Sequence, residues 1–240
     1  MTQKQLPYDR NIVPQETGYN CGPASAQIVL NSRGIRVDET QLAREIGTTW
    51  NGTDFVGLIE RVLDERVPEA RYTSVQMPND PPTGAQCNRL WRDILRSIDG
   101  GYGVIVNIVA PPSNYPRGVN GSVSPAYGGG TVYHYMTVMG YDDATRAVWI
   151  ADSGFRPFGY WMSFDQLTTL IPPKGYAYAD VDPAPNQEDD MTQQQFDTLN
   201  GKLDAILRQL GPWGQLGTND EGEPLTLVDA LAKHTAGGTK

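Results

Sequence analysis

The 240-residue chain contains only two cysteines, Cys21 and Cys87, and two histidines, His134 and His234. Two cysteines cannot build a disulfide framework or a four-thiolate zinc site, so no metal and no cofactor is expected. A single Cys21–Cys87 bridge is the one pairing left open. Basic residues are scarce too, 19 against 28 acidic, for a net charge of −9. That balance gives no basic footprint for nucleic acid or for an anionic lipid surface. No window holds 18 consecutive apolar residues, which excludes a spanning helix by this criterion. The first fifteen residues also lack the apolar stretch of a secretory signal. What remains is ordinary: with glycine counted and tyrosine left out, about 45% of the chain is apolar, the usual globular share. The length suits one large domain, or one domain with an appendage.

Residues 1–20 read as an irregular arm. Gly22-Pro23 and the apolar run after it predict a helix that starts at or just after Cys21 and ends near Gly34. Asp38–Gly47 has an acidic first turn and a glycine stop, a second short helix. A third is capped by Thr53 or Asp54, with Phe55, Leu58, Ile59, Val62 and Leu63 on one face. A fourth carries Leu90, Trp91, Ile94, Leu95 and Ile98 and closes at Gly100-Gly101. The period then changes. Val104–Val109, Tyr133–Tyr141, Ala147–Ala151 and Gly175–Val181 read as strands. A Gly/Pro/Ser/Tyr-rich loop spans residues 110–130, either lining a cleft or connecting strands. Helices first and strands later, with short meander links, indicate an α+β domain over residues 1–181.

Residues 182–190 form an acidic linker, and residues 191–240 a C-terminal segment. Within it, Phe196, Leu199, Leu203, Ile206 and Leu210 make a short heptad seam after a capping box at Thr192–Gln195. Leu at a positions with Ile at one d position leans toward trimers or tetramers, so a homo-oligomer through residues 191–210 is one expectation. A helix docked on its own domain is the other. Residues 211–240 read as a loosely ordered tail with one apolar patch, Leu225–Leu231.

Cys21 stands at a helix start, where unpaired N–H groups and the helix dipole favour a thiolate over a thiol. A nucleophilic cysteine needs an imidazole to carry the proton, and His134 is the only histidine outside the tail. It sits at the start of a strand just after Gly128-Gly129-Gly130. The imidazole in turn needs an acceptor for its other nitrogen. Pairing across a turn at 142–145 sets opposite each other residues whose numbers add up to about 286–288, which makes His134 and Asp152 cross-strand neighbours. Asp142 and Asp143 lie at the turn and fail that test. Gln15, six residues before Cys21, offers an amide to an oxygen developing charge, alongside the Cys21 backbone N–H. Each residue alone has a bland structural reading; the ordered set of four does not. The tryptophans Trp50, Trp91, Trp149, Trp161 and Trp213 read mainly as core.

Val13-Pro14-Gln15, Asn20-Cys21-Gly22-Pro23-Ala24-Ser25, the block His134–Asp142 and Trp149-Ile150-Ala151-Asp152 together resemble the C39-like, papain-fold cysteine peptidases over residues 10–180. The resemblance implies a papain-like α+β fold with Cys21 as nucleophile, His134 as general base and acid, Asp152 as its orienting partner and Gln15 in the oxyanion hole. The tail from Gln209 to Leu231 is similar to C-terminal segments of endolysins from phages of actinobacteria. The implied activity is a cysteine endopeptidase acting on stem or cross-bridge peptides of peptidoglycan. It would be made in the host cytoplasm and reach the wall after holin release. A peptidase that trims a Gly-Gly leader or another protein, and a catalytically silent wall-binding or assembly module, are the alternatives.

Overall fold

A computed structural model describes residues 2–181, 198, 202–203, 205–206, 210–220 and 222–236. It divides into two compact units, residues 1–184 and 185–240.

The first unit is a seven-stranded antiparallel sheet with helices on both faces. Its helices are α1 (Cys21–Ser32), α2 (Glu39–Ile46), α3 (Val56–Arg66), α4 (Gly84–Asp99) and α5 (Phe164–Leu170). Its strands are β1 (Gln3–Gln5), β2 (Tyr72–Gln76), β3 (Val104–Ala110), β4 (Val132–Asp142), β5 (Ala147–Ala151), β6 (Gly159–Ser163) and β7 (Gly175–Ala179). The strand order is β2-β7-β3-β4-β5-β6, and β1 pairs with the far end of β4 at Gln3↔Asp142. The α+β expectation holds.

Strand alternation sorts the core into two layers. Ile105, Tyr135, Ala177 and Ala179 face α1, α2 and α3, where Val29, Leu42, Ile59 and Leu63 are buried. Val106, Ile108, Met136 and Tyr176 belong to the opposite layer, with Leu90, Ile94 and Ile98 of α4 and Leu167 of α5. Thr83 begins α4 with a full capping box, its hydroxyl accepting from Gln86 N–H while the Gln86 side chain reaches back to Thr83. That satisfies two otherwise orphaned donors. With both faces of the sheet covered, the long central strand β4 is held rigidly at the middle, and the helix that starts at Cys21 packs against it.

Several expectations are corrected. The N-terminal arm is not wholly irregular, because β1 extends the sheet and Arg10–Ile12 forms a 3-10 turn. Phe55, not Thr53 or Asp54, is the N-cap of α3. β2, β6 and α5 went unanticipated because they are short. In the second unit, residues 211–236 are more than loose tail: Gly214–Leu216 is a 3-10 turn and Leu227–Ala236 an α-helix. The linker 182–190, the capping box at 192–195 and the seam residues Phe196 and Leu199 lie outside the described residues. Leu203, Ile206 and Leu210 are exposed and helical. No helix among the described residues is long and apolar enough to cross a membrane.

Candidate active site

Cys21 is the first residue of α1, with Asn20 at the N-cap. The loop before it is anchored from below by Glu39, a buried carboxylate on α2. Its Oε1 accepts from the Glu16 backbone N–H at 2.9 Å and from Asn20 Nδ2 at 2.8 Å. Burial, the largest effect, lifts the Glu39 carboxyl above its ordinary range, and those two donors hold it back in part. Next in sequence, Gly22 permits a close approach that no other residue allows. A Cβ there would strike the Thr53 hydroxyl, and Thr53 forms part of the wall beside Cys21.

His134 lies near the start of β4 and is 5% exposed; Asp152 follows the end of β5 and is fully buried. His134 Nε2 donates to Asp152 Oδ1 at 2.9 Å. The register that brings them together lies at the upper edge of the one expected from the turn. A bulge at Met139 shifts the ladder, so that Thr137 opposes Ala151 while Gly140 opposes Trp149. Continued outward, His134 lies across from residue 154, which makes Asp152 its diagonal same-face neighbour and not its direct partner. The reach of the two side chains bridges that offset.

Asp152 is satisfied by four donors. Besides His134, its Oδ1 accepts from Gly154 N–H at 3.0 Å, and its Oδ2 accepts from the hydroxyls of Tyr127 and Tyr160, each at 2.9 Å. A buried carboxylate is costly unless so paired. Tyr127 comes from the 110–130 loop, and here the structure settles what that loop does. Its Tyr115 hydroxyl bonds Gly130 O at 2.6 Å. Tyr127 stacks on Phe155 at 3.7 Å between ring centroids. Phe155 meets the His134 ring edge-on at 5.5 Å. The loop buttresses the imidazole and carboxylate, and none of its residues lines the cleft beside Cys21.

The electrostatics follow. Burial alone, the largest effect, would lower the His134 pKa. The Asp152 charge and hydrogen bond outweigh it, the Cys21 sulfur adds to them, and the value rises to about 10. Burial likewise raises the Cys21 thiol. The hydrogen bond and charge of His134, with the backbone N–H groups of Tyr135 and Gly22, outweigh that and bring it below its ordinary value. With Nε2 committed to Asp152, Nδ1 is the nitrogen left for Cys21. The arrangement favours a thiolate–imidazolium pair.

Gln15 is carried to the same end of the site. Its backbone N–H donates to Ser153 O at 3.0 Å, and its side-chain oxygen accepts from Ser153 Oγ at 2.9 Å. One amide N–H goes to Thr17 O at 2.6 Å, which leaves the second for a ligand. Cys87, by contrast, is half-buried on α4 against the core, and both thiols are free, so no Cys21–Cys87 bridge exists. His234 is exposed on the C-terminal helix. Among the described residues no group of three or more His, Cys, Asp or Glu side chains is placed to hold a metal.

A cleft of about 350 Å³ opens beside Cys21 and His134. Its rim is aromatic and its interior polar. Trp50, read from sequence as core, is 79% exposed there. It stands at the tip of a tight turn closed by paired hydrogen bonds between Thr49 and Gly52. Tyr133 is 67% exposed on the same cleft. Asn107, Tyr135, Asp54 and Lys174 supply the polar groups. None of these carried a local signal, because they come from separate segments that only the fold assembles.

Residues 188–237 match the family model described as the Rv3766 C-terminal domain. An uncharacterized protein of Methanothermobacter marburgensis is 45% identical over 51 residues, 21% of this chain and 36% of its own length. The chain thus spans about a third of that curated relative. Among solved structures, a C39-like peptidase from Bacillus anthracis aligns at 16% identity over 76% of this chain and 100% of its own, TM-score 0.47. A double-glycine-motif protease from an AMS/PCAT transporter, in complex with the leader peptide, aligns at 12% identity over 75% and 99%, TM-score 0.43. The peptidase domain of Streptococcus ComA aligns at 16% identity over 70% and 96%, TM-score 0.42. The architecture is the papain-like α+β fold. With residues 7–167 matching its family model, the chain belongs to the Peptidase_C39 like family.

Proposed function

We propose that the protein is a cysteine endopeptidase that hydrolyses peptide bonds in bacterial peptidoglycan, in the manner of a phage endolysin. The observation that carries the catalytic part is the preformed Cys21–His134–Asp152 chain, with a thiol lowered and an imidazole raised toward each other. The Cys21 thiolate attacks the scissile carbonyl carbon. The resulting oxyanion takes hydrogen bonds from the Cys21 backbone N–H, free at the helix start, and from the unused N–H of Gln15. His134 passes its Nδ1 proton to the leaving amine, the C–N bond breaks, and a thioester remains on Cys21. A water molecule then gives a proton to His134 and attacks the thioester, which releases the carboxylic acid and restores the pair. Asp152 keeps the imidazole oriented and positively charged before attack.

The substrate part rests on the cleft and the tail. The cleft is small, polar and bears charges of both signs, which suits a short mixed-charge peptide better than an apolar leader helix. The sequence of the tail from Gln209 to Leu231 resembles the C-terminal segments of endolysins. On this reading the protein is made in the host cytoplasm and acts at the wall after holin release. The test is digestion of purified actinobacterial walls and, separately, of a Gly-Gly leader precursor, by wild type and by Cys21→Ala. Mass spectrometry reads the new free amines. New termini from walls alone, absent with Cys21→Ala, support the proposal. Cleavage of the leader alone replaces the substrate, and wall cleavage that persists in Cys21→Ala removes the catalytic assignment.

A further inference from the structure

Many charged side chains of the first unit are paired: Lys4 with Asp99, Arg66 with Glu45, Arg96 with Asp180. Two of those lining the cleft are not. Asp54 is exposed just ahead of α3 and makes no ion pair or side-chain hydrogen bond among the described residues. Lys174 is half-buried and has no carboxylate partner among them, its ammonium standing 5.7 Å from the centroid of the Tyr133 ring. Two buried polar groups lie beside these charges. The Tyr135 side chain is 3% exposed, and its buried hydroxyl makes no hydrogen bond of good geometry, with the Asn107 side chain close enough to interact. Asn107, 6% exposed, is its register neighbour on β3. An unpaired hydroxyl in the interior costs about 1–3 kcal/mol, so this one has reason to find its partner in a ligand.

Burial first, then Cys21 and Asp54, raise Tyr135 well beyond the ordinary phenol range, against a lowering from the Asn107 side chain. Asp54, Tyr135, Asn107 and the nucleophile all line the same cleft. The cleft lining offers three oxygen acceptors: the Asp54 carboxylate, the Tyr135 hydroxyl and the Asn107 carbonyl. A primary ammonium has three N–H donors and one positive charge. Lys174, on the same cleft, repels such a group and attracts a carboxylate.

We propose that this pocket is a subsite for the free side-chain ammonium of a diamino-acid residue next to the scissile bond, with Asp54 as its counter-charge. Lys174 takes the carboxylate that the same residue carries. The assignment rests on the hydrolase reading above and deepens it. It selects peptides whose diamino acid is unmodified, and it rejects those whose amine is acylated or whose carboxylate is amidated.

The experiment uses synthetic stem peptides in three forms: free amine and free carboxylate, Nω-acetylated, and amidated at the carboxylate. Calorimetry measures their binding to Cys21→Ala, which needs no turnover, and kinetics measures their cleavage by wild type. The free form should bind about tenfold or more tightly than either modified form, a difference of about 1.4 kcal/mol. Asp54→Asn should erase the preference against acetylation and keep the preference against amidation; Lys174→Gln should do the reverse. Asp54→Glu should restore most of the amine preference. Equal binding of all three forms, or an unaltered preference in Asp54→Asn, overturns the subsite. Selective binding with no cleavage by wild type leaves the subsite standing and removes peptidoglycan hydrolysis instead.

Discussion

Replacing Asp152 by Asn keeps the shape of the side chain and removes its charge. The structure sets what that costs. Lifting His134 from the ordinary imidazole value of 6.5 to about 10 corresponds to ~5 kcal/mol at ~1.4 kcal/mol per pKa unit. Asp152 is the first source of that stabilisation and Cys21 the second. Without the carboxylate, burial dominates and the imidazole becomes neutral below its ordinary value. The Cys21 thiol then loses its cationic partner and returns toward the normal thiol range. The hydroxyls of Tyr127 and Tyr160 also lose their acceptor, a cost of about 1–3 kcal/mol to folding. The fold itself is retained. Alkylation of Cys21 by iodoacetamide, followed by peptide mapping from pH 5 to 10, reads the thiolate directly and requires no substrate. Wild type should be modified well below pH 8, and Asp152→Asn at least about tenfold more slowly at pH 6. Hydrolysis should fall by about three to four orders of magnitude. Alkylation of Asp152→Asn at the wild-type rate at pH 6 would refute the reasoning, since Asp152 would then not be what keeps the pair charged.

Three further outcomes follow from the same geometry. A Cβ on Gly154 would stand 2.9 Å from His134 Cε1, so Gly154→Ala displaces the imidazole; kcat should fall about 100-fold with thermal unfolding nearly unchanged, and a wild-type kcat would contradict the placement. Trp50→Ala, at a rim position 79% exposed, should leave stability within about 0.5 kcal/mol yet raise KM severalfold; an unchanged KM would remove Trp50 from the substrate. The third is a pH profile of stability. The native pair holds one proton from below the ordinary thiol value of 9 up to about 10. The unfolded pair holds two below 6.5, one between 6.5 and 9, and none above 9. Between 9 and about 10 the native pair holds one proton more than the unfolded pair, so stability from the pair is lost as pH climbs through that window. Urea midpoints of wild type minus those of a Cys21→Ala/His134→Ala double variant should fall across that window, and a flat difference would contradict it.

Much of the site was readable because chemistry is scarce in this chain. With one histidine outside the tail, Cys21 and His134 selected each other, and strand spacing pointed to Asp152. The remainder was hidden for physical reasons. The bulge at Met139 altered the register by one residue, and no local pattern announces a bulge. Gln3–Gln5 is wholly polar, so β1 carried no alternation and is defined only by β4. Tyr127, Tyr160 and Glu39 support the catalytic groups across long sequence separations, and a phenol or carboxylate gives no sign of such a role until its acceptors are located. Trp50 broke the rule that large aromatics are buried, because the turn from Thr49 to Gly52 holds it out over the cleft.

The central claim is that Cys21 is an activated thiolate and the nucleophile. Its most direct measurement is the intact mass and residual activity of the enzyme after one equivalent of iodoacetamide at pH 6. A single adduct mapped to Cys21, with activity lost in proportion to labelling and Cys87 unmodified, is the predicted result. Labelling that falls on Cys87, or a fully modified Cys21 in an enzyme that still hydrolyses its substrate, would contradict the account.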